Sequence, residues 1–164
     1  MADMVTFEIK GGEVVPEIRM PSSATILELK QKIEEDLNVK VARQTLLFNQ
    51  INLNDEDAIA DYGFHSMTSI RLSVTPEPDK EFFIDLKSGT RPTTNVRVKE
   101  SYKVADLKSK LQRLWGIEKK NIALSRLSKK MEDDHFLYSY YIYEGTEVFA
   151  EIAINNSYGI TRLK

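Results

Sequence analysis

Residues 45–55 read Thr45-Leu46-Leu47-Phe48-Asn49-Gln50-Ile51-Asn52-Leu53-Asn54-Asp55, and Ile59-Ala60-Asp61-Tyr62-Gly63-Phe64 follows shortly after. A short apolar run, a polar turn, a second apolar pair and an acidic loop predict a tight hairpin that opens into a brief helical turn. The same order returns 78 residues later: Leu46 becomes Leu124, Leu53-Asn54-Asp55 becomes Met131-Glu132-Asp133, and Tyr62 becomes Tyr140. Outward from this stretch, Leu29-Lys30 recurs as Leu107-Lys108, Lys32-Ile33 as Lys110-Leu111, Val39 as Ile117, and Ile70 as Val148. Convergent periodicity alone would not keep a helix, strands and turns in register over roughly 50 residues, so the chain is one unit written twice.

Each unit predicts the same elements. Phe7 and Ile9 alternate with polar residues, turn at Gly11-Gly12 and resume at Val14, Ile18 and Met20, which is a hairpin. Ser22 or Ser23 offers an N-cap, and Ile26, Leu29, Ile33 and Leu37 form one apolar helical stripe. Residues 46–48 and 51–53 read as short strands, 59–62 as a turn of helix and 69–74 as a closing strand. In the second unit, residues 82–84 and 96–98 flank a turn at 88–92. A helix over 103–115 follows on Val104, Leu107, Leu111 and Leu114, with strands at 122–124 and 148–152. Strands and helices that do not alternate predict an α+β class, each domain a mixed sheet packed on one helix.

The 164 residues are 41% hydrophobic and 29% charged, a composition that supports packed cores. The alternating prolines of Thr75-Pro76-Glu77-Pro78-Asp79 favour an extended linker, so the expected division is 1–75, a linker at 76–80, 81–154, and a tail at 155–164. Residues 1–75 hold 7 Lys/Arg against 12 Asp/Glu, whereas residues 81–164 hold 15 against 11. Two surfaces of opposite sign imply two kinds of partner. No cysteine is present, which excludes disulfides, thiolate metal sites and cysteine nucleophiles. No apolar run is long enough to span a bilayer, and the start of the chain lacks the basic-then-apolar pattern of a signal peptide. The expected location is intracellular, cytoplasmic or nuclear.

Residues 45–64, together with Thr68-Ser69-Ile70-Arg71-Leu72, resemble the third strand, hairpin, acidic turn, Asp-Tyr pair and last strand of the ubiquitin family. The second unit resembles it more distantly, through residues 104–116, Leu124, residues 131–133, Leu137, Tyr140 and Val148. The resemblance implies two tandem β-grasp domains. Conjugated members of that family end in a di-glycine. The matching positions here are Pro78-Asp79 and Asn156-Ser157, which implies a protein that is not conjugated.

The family also binds receptors through an apolar patch on its sheet: an isoleucine flanked by a loop leucine, a histidine and a valine. The resemblance carries the isoleucine position to Leu47, the histidine to Arg71, the valine to Ser73 and the loop leucine to Gly11-Gly12. Ile51 stands at the position of a chain-forming lysine and is expected to enlarge the patch. In the second unit the same positions are Ser125, Phe149 and Glu151, which implies that this unit has lost the face.

Other residues offer sharper and blander readings. Leu47, Ile51, Arg71 and Ser73 form either a docking patch or ordinary sheet surface. Tyr138, Tyr141 and Tyr143, with Phe149 and Tyr158, form either an exposed aromatic binding surface or a partly packed one, while Tyr140 is read as core. Arg97, Lys99, Lys119, Lys120, Arg126, Lys129 and Lys130 make the second unit basic; an acidic protein partner or a solvated face fits them better than nucleic acid, since no nucleotide-binding motif accompanies them. Asp133-Asp134-His135 lacks a second ligand cluster or a nucleophile at useful spacing, and no phosphate-binding glycine loop occurs. No enzyme, metal or cofactor is expected. The expectation is a monomeric tandem adaptor that mimics ubiquitin toward proteins such as ubiquitin receptors or proteasome-associated factors. The alternative is a dedicated interaction scaffold using the divergent surface of the second unit, and neither membrane nor nucleic acid is an expected partner.

Overall fold

A computed structural model of the chain describes residues 3–156 and 159–163, with side chains described from 3 to 153. The chain divides into two compact units, Met1–Pro76 and Glu77–Lys164. We call them domains 1 and 2.

Domain 1 runs β1 (Met4–Lys10), β2 (Glu17–Pro21), α1 (Ile26–Leu37), β3 (Gln44–Phe48), β4 (Ile51–Asn52) and β5 (Met67–Val74), with 3-10 turns at Val41–Arg43 and Ile59–Tyr62. Its sheet has the order β2-β1-β5-β3-β4, with β1 parallel to β5 and the other pairs antiparallel. Alternation along β5 buries Thr68, Ile70 and Leu72 and exposes Met67, Ser69, Arg71 and Ser73. The buried side of the sheet meets the α1 stripe, and Ile26, Leu29, Ile33 and Leu37 are fully buried as the spacing predicts. The N-cap is Thr25 rather than Ser22 or Ser23. Its hydroxyl accepts from the Glu28 amide at 3.1 Å, while Ser22 belongs to the turn that leaves β2.

Domain 2 repeats the plan with β6 (Glu81–Ser88), β7 (Arg91–Lys99), α2 (Val104–Trp115), β8 (Ile122–Arg126), β9 (Lys129–Lys130) and β10 (Glu147–Asn156) in the order β7-β6-β10-β8-β9. An added β11 (Gly159–Leu163) pairs antiparallel with β10, so part of the segment expected as a tail is strand. Residues 77–80 are tied to domain 2: the Glu77 amide donates to Glu100 at 2.6 Å, and Ser101 donates to the Pro78 carbonyl at 2.9 Å. The α2 stripe differs at its end. Leu114 is exposed, and Trp115 takes the position equivalent to Leu37, its indole N–H donating to Thr94 at 3.1 Å.

The 78-residue repeat extends to individual hydrogen bonds. Lys30 bridges Asp55 at 2.7 Å and Lys108 bridges Asp133 at 2.5 Å. The Tyr62 hydroxyl accepts from the Asn54 amide at 2.9 Å, and the Tyr140 hydroxyl from the Glu132 amide at 2.8 Å. Glu34 accepts the Val41 amide in domain 1 as Gln112 accepts the Lys119 amide in domain 2. Two copies of one chain path satisfy equivalent donors by the same device.

Candidate docking faces

In both domains the helix covers one face of the sheet and leaves the other open. Cross-strand partners share a face, so the register shows which side chains meet there. In domain 1, Arg71 lies opposite both Lys10 and Leu47, and Leu47 lies opposite Asn52. The resulting row across four strands is Lys10, Arg71, Leu47, Asn52. Ser73 lies opposite Thr45 one step away, and Ser69 donates to Glu8 at 2.8 Å. Leu47, half-buried, is thus an apolar centre among polar neighbours.

The structure brings together Leu47, Arg71 and Ser73, but it separates Ile51 from them. Ile51 is paired with Phe48 and is 61% exposed. Phe48 faces the other way and packs its ring edge-on against Phe64 at 4.9 Å. Asn52 is therefore the β4 residue beside Leu47. Three exposed apolar residues of domain 1, Val15 in the loop after β1, Leu27 on α1 and Met67 at the start of β5, were missed. The sequence signal for Val15 was the apolar pair Val14-Val15, of which only Val14 is buried.

Domain 2 carries the corresponding row as Lys87, Phe149, Ser125, Lys130. Its apolar residue has moved by one strand, from β8 to β10. Phe149 is 50% exposed, and Ser125 leaves a hollow where domain 1 carries a leucine. A depression of about 790 Å³ opens there, lined in part by Lys87, Ala123, Ser125, Lys130, Phe149 and Glu151. A smaller one of about 240 Å³ shares Ala123, Lys130 and Glu151 and adds Lys108 and Lys120.

The expected tyrosine surface needs correction. Tyr141 and Tyr143 are 2% and 5% exposed and belong to the core. Tyr141 ends the 3-10 turn Leu137–Tyr140 in a left-handed conformation (φ 55°), and Tyr143 enters a turn closed by its own amide donating to Thr146 at 3.0 Å. This path turns both rings inward. Tyr140 is fully buried as read, Tyr138 is 46% exposed and stacks on Phe136, and Tyr158 lies outside the described residues. Arg126, expected among the surface cations, is 4% exposed. Burial pushes its guanidinium down to about 10, while the Glu147 carboxylate pulls in the opposite direction.

Among the described residues no group of three potential metal ligands forms, and no helix is long and apolar enough to cross a membrane. A model of the ubiquitin family matches residues 6–77, and a model of the ubiquitin-like domain matches residues 69–151. Ubiquitin-like domains are typically non-catalytic interaction modules. The chain belongs to the ubiquitin-like superfamily and carries two tandem β-grasp domains.

Proposed function

We propose that this protein is a non-enzymatic tandem adaptor whose domain 1 is read as a ubiquitin mimic by receptors of the ubiquitin–proteasome system. The observation that carries the reading is Leu47, a half-buried apolar centre on an open sheet face with Arg71 and Asn52 at its flanks. An apolar anchor within a polar rim suits a small helical receptor that desolvates one side chain and leaves the periphery wet. The absence of Gly-Gly at Pro78-Asp79 and at Asn156-Ser157 supports recognition without conjugation. With a second face in the same chain, the adaptor holds one partner near another, and the join between domains sets the effective concentration.

Calorimetric titration of the whole chain with a helical ubiquitin-binding domain tests this. Leu47→Ala is expected to weaken binding at least ~10-fold. Unchanged affinity, or no binding by the unaltered chain, would remove the mimicry. A second reading, a scaffold of a specific complex built on domain 2, is favoured by the depression beside Phe149.

A further inference from the structure

The row Lys87, Phe149, Ser125, Lys130 crosses four adjacent strands, with a cation at each end and an aromatic wall beside a small residue in the middle. Lys130 and its neighbour Lys129 are exposed and form no ion pair among the described residues. Among the described residues Lys87 is held by a surface bridge to Glu147 at 3.4 Å, with the two side chains 40% and 52% exposed, which an incoming carboxylate can replace. Among the described residues Glu151 is the one carboxylate lining the depression, against two lysines; the adjoining hollow adds Lys108, bridged to Asp133, and Lys120, bridged to Glu118 at 3.2 Å.

Strand spacing sets the scale. Three steps of about 4.8 Å put the row's ends ~14 Å apart. An extended peptide laid along the row points residues i, i+2 and i+4 toward the sheet, and these span ~13 Å. We propose that the open face of domain 2 binds an extended segment of a partner protein with the pattern acid-x-apolar-x-acid. Its apolar side chain fills the hollow over Ala123 and Ser125 against Phe149, and its two acids meet Lys87 and Lys130. Domain 1 does not bind this segment, because its row has Leu47 in place of the hollow and Asn52 in place of the second lysine. The inference rests on domain 2 being a binding module. Its readout lies at residues other than Leu47, so its failure leaves the proposal for domain 1 standing.

The test is an NMR titration of the isotope-labelled full chain with the synthetic peptide acetyl-Gly-Asp-Ser-Phe-Ser-Asp-Gly-amide. The expected shifts cluster at the backbone amides of Lys87, Ser125, Lys130 and Phe149. Replacing the peptide's phenylalanine by serine should weaken binding at least ~10-fold. Ser125→Leu, which fills the hollow, should do the same. The double variant Lys87→Ala/Lys130→Ala, which does not touch the core, should lower affinity ~5-fold or more and flatten its salt dependence. Absence of shifts along the row would overturn the proposal. So would equal affinity for a peptide of the same composition in scrambled order, which marks plain electrostatic attraction, or unchanged affinity in the lysine double variant.

Discussion

Tyr62 and Tyr140 each tie the acidic loop to the 3-10 turn that follows it through one hydroxyl, yet they differ in the side chain that pairs with that hydroxyl. Tyr62 donates to Asp57 at 2.7 Å, whereas the Tyr140 oxygen lies 2.9 Å from the Nδ1 of His135. Both oxygens also accept a backbone amide, so removing either leaves a donor without its partner. Tyr140→Phe is expected to destabilise domain 2 by about 1–3 kcal/mol, read from chemical denaturation; a change too small to measure would contradict this role. Arg126 gives a prediction of opposite sign. Its folded value of about 10 lies below the ordinary arginine range, so the folded domain releases that proton first. Stability linked to Arg126 therefore rises as pH climbs above about 10, and at neutral pH the buried charge costs stability. Arg126→Met should match or exceed the parent at pH 7, by up to ~2 kcal/mol, and should lose the alkaline rise relative to it. Calorimetry at pH 7 and pH 11 checks both; a loss above ~1 kcal/mol at pH 7 would show that the guanidinium's contacts outweigh its desolvation.

Among the elements, the turns that join β3 to β4 and β8 to β9 place two consecutive residues at positive φ without a glycine: Asn49 and Gln50 in one domain, Leu127 and Ser128 in the other. Leu127 and Ser128, at 49° and 67°, carry the side chains less suited to this region. Changing the pair to Asn-Gly is expected to stabilise domain 2 by about 1 kcal/mol, a rise of several degrees in its melting midpoint; a fall would mean that the exposed leucine packs more than its exposure suggests. The elements also explain what the sequence made legible. The helices were readable because Ile26, Leu29, Ile33 and Leu37, and Val104, Leu107 and Leu111, follow the helical period and are fully buried. Leu114 was misread because Trp115, one residue on, reaches the stripe position while its N–H finds Thr94. Tyr141 and Tyr143 were misread because a 3-10 turn ending in a left-handed residue has no sequence period to mark which way a ring points. Ile51 was grouped with Leu47 because the resemblance puts it at the position of a chain-forming lysine beside the patch, but a strand flips faces at each residue and pairing fixes which face is shared. The exchange of Leu47 and Arg71 for Ser125 and Phe149 was legible from the resemblance, but the hollow it opens required the paired register, which sets Ser125 beside Phe149 on one face.

For the whole molecule, each domain has its own sheet, helix and buried core, and the division after Pro76 falls where alternating prolines interrupt the pattern. Separate expression of residues 1–76 and 77–164 is expected to give two folded proteins with spectra that overlay most of the full chain's signals. A half that remains unfolded would contradict independent cores. The charge asymmetry agrees with two faces of different purpose: domain 1 is acidic and centred on an aliphatic residue, and domain 2 is basic and centred on a hollow. Mimicry of ubiquitin by domain 1 is the central claim, and an NMR titration of the labelled full chain with a helical ubiquitin-binding domain tests it most directly. The account predicts shifts clustered at Leu47, Asn52, Arg71 and Ser73, with Ile51 and domain 2 little affected. An intact spectrum that stays silent at those four residues would show that domain 1 kept the fold and discarded the face.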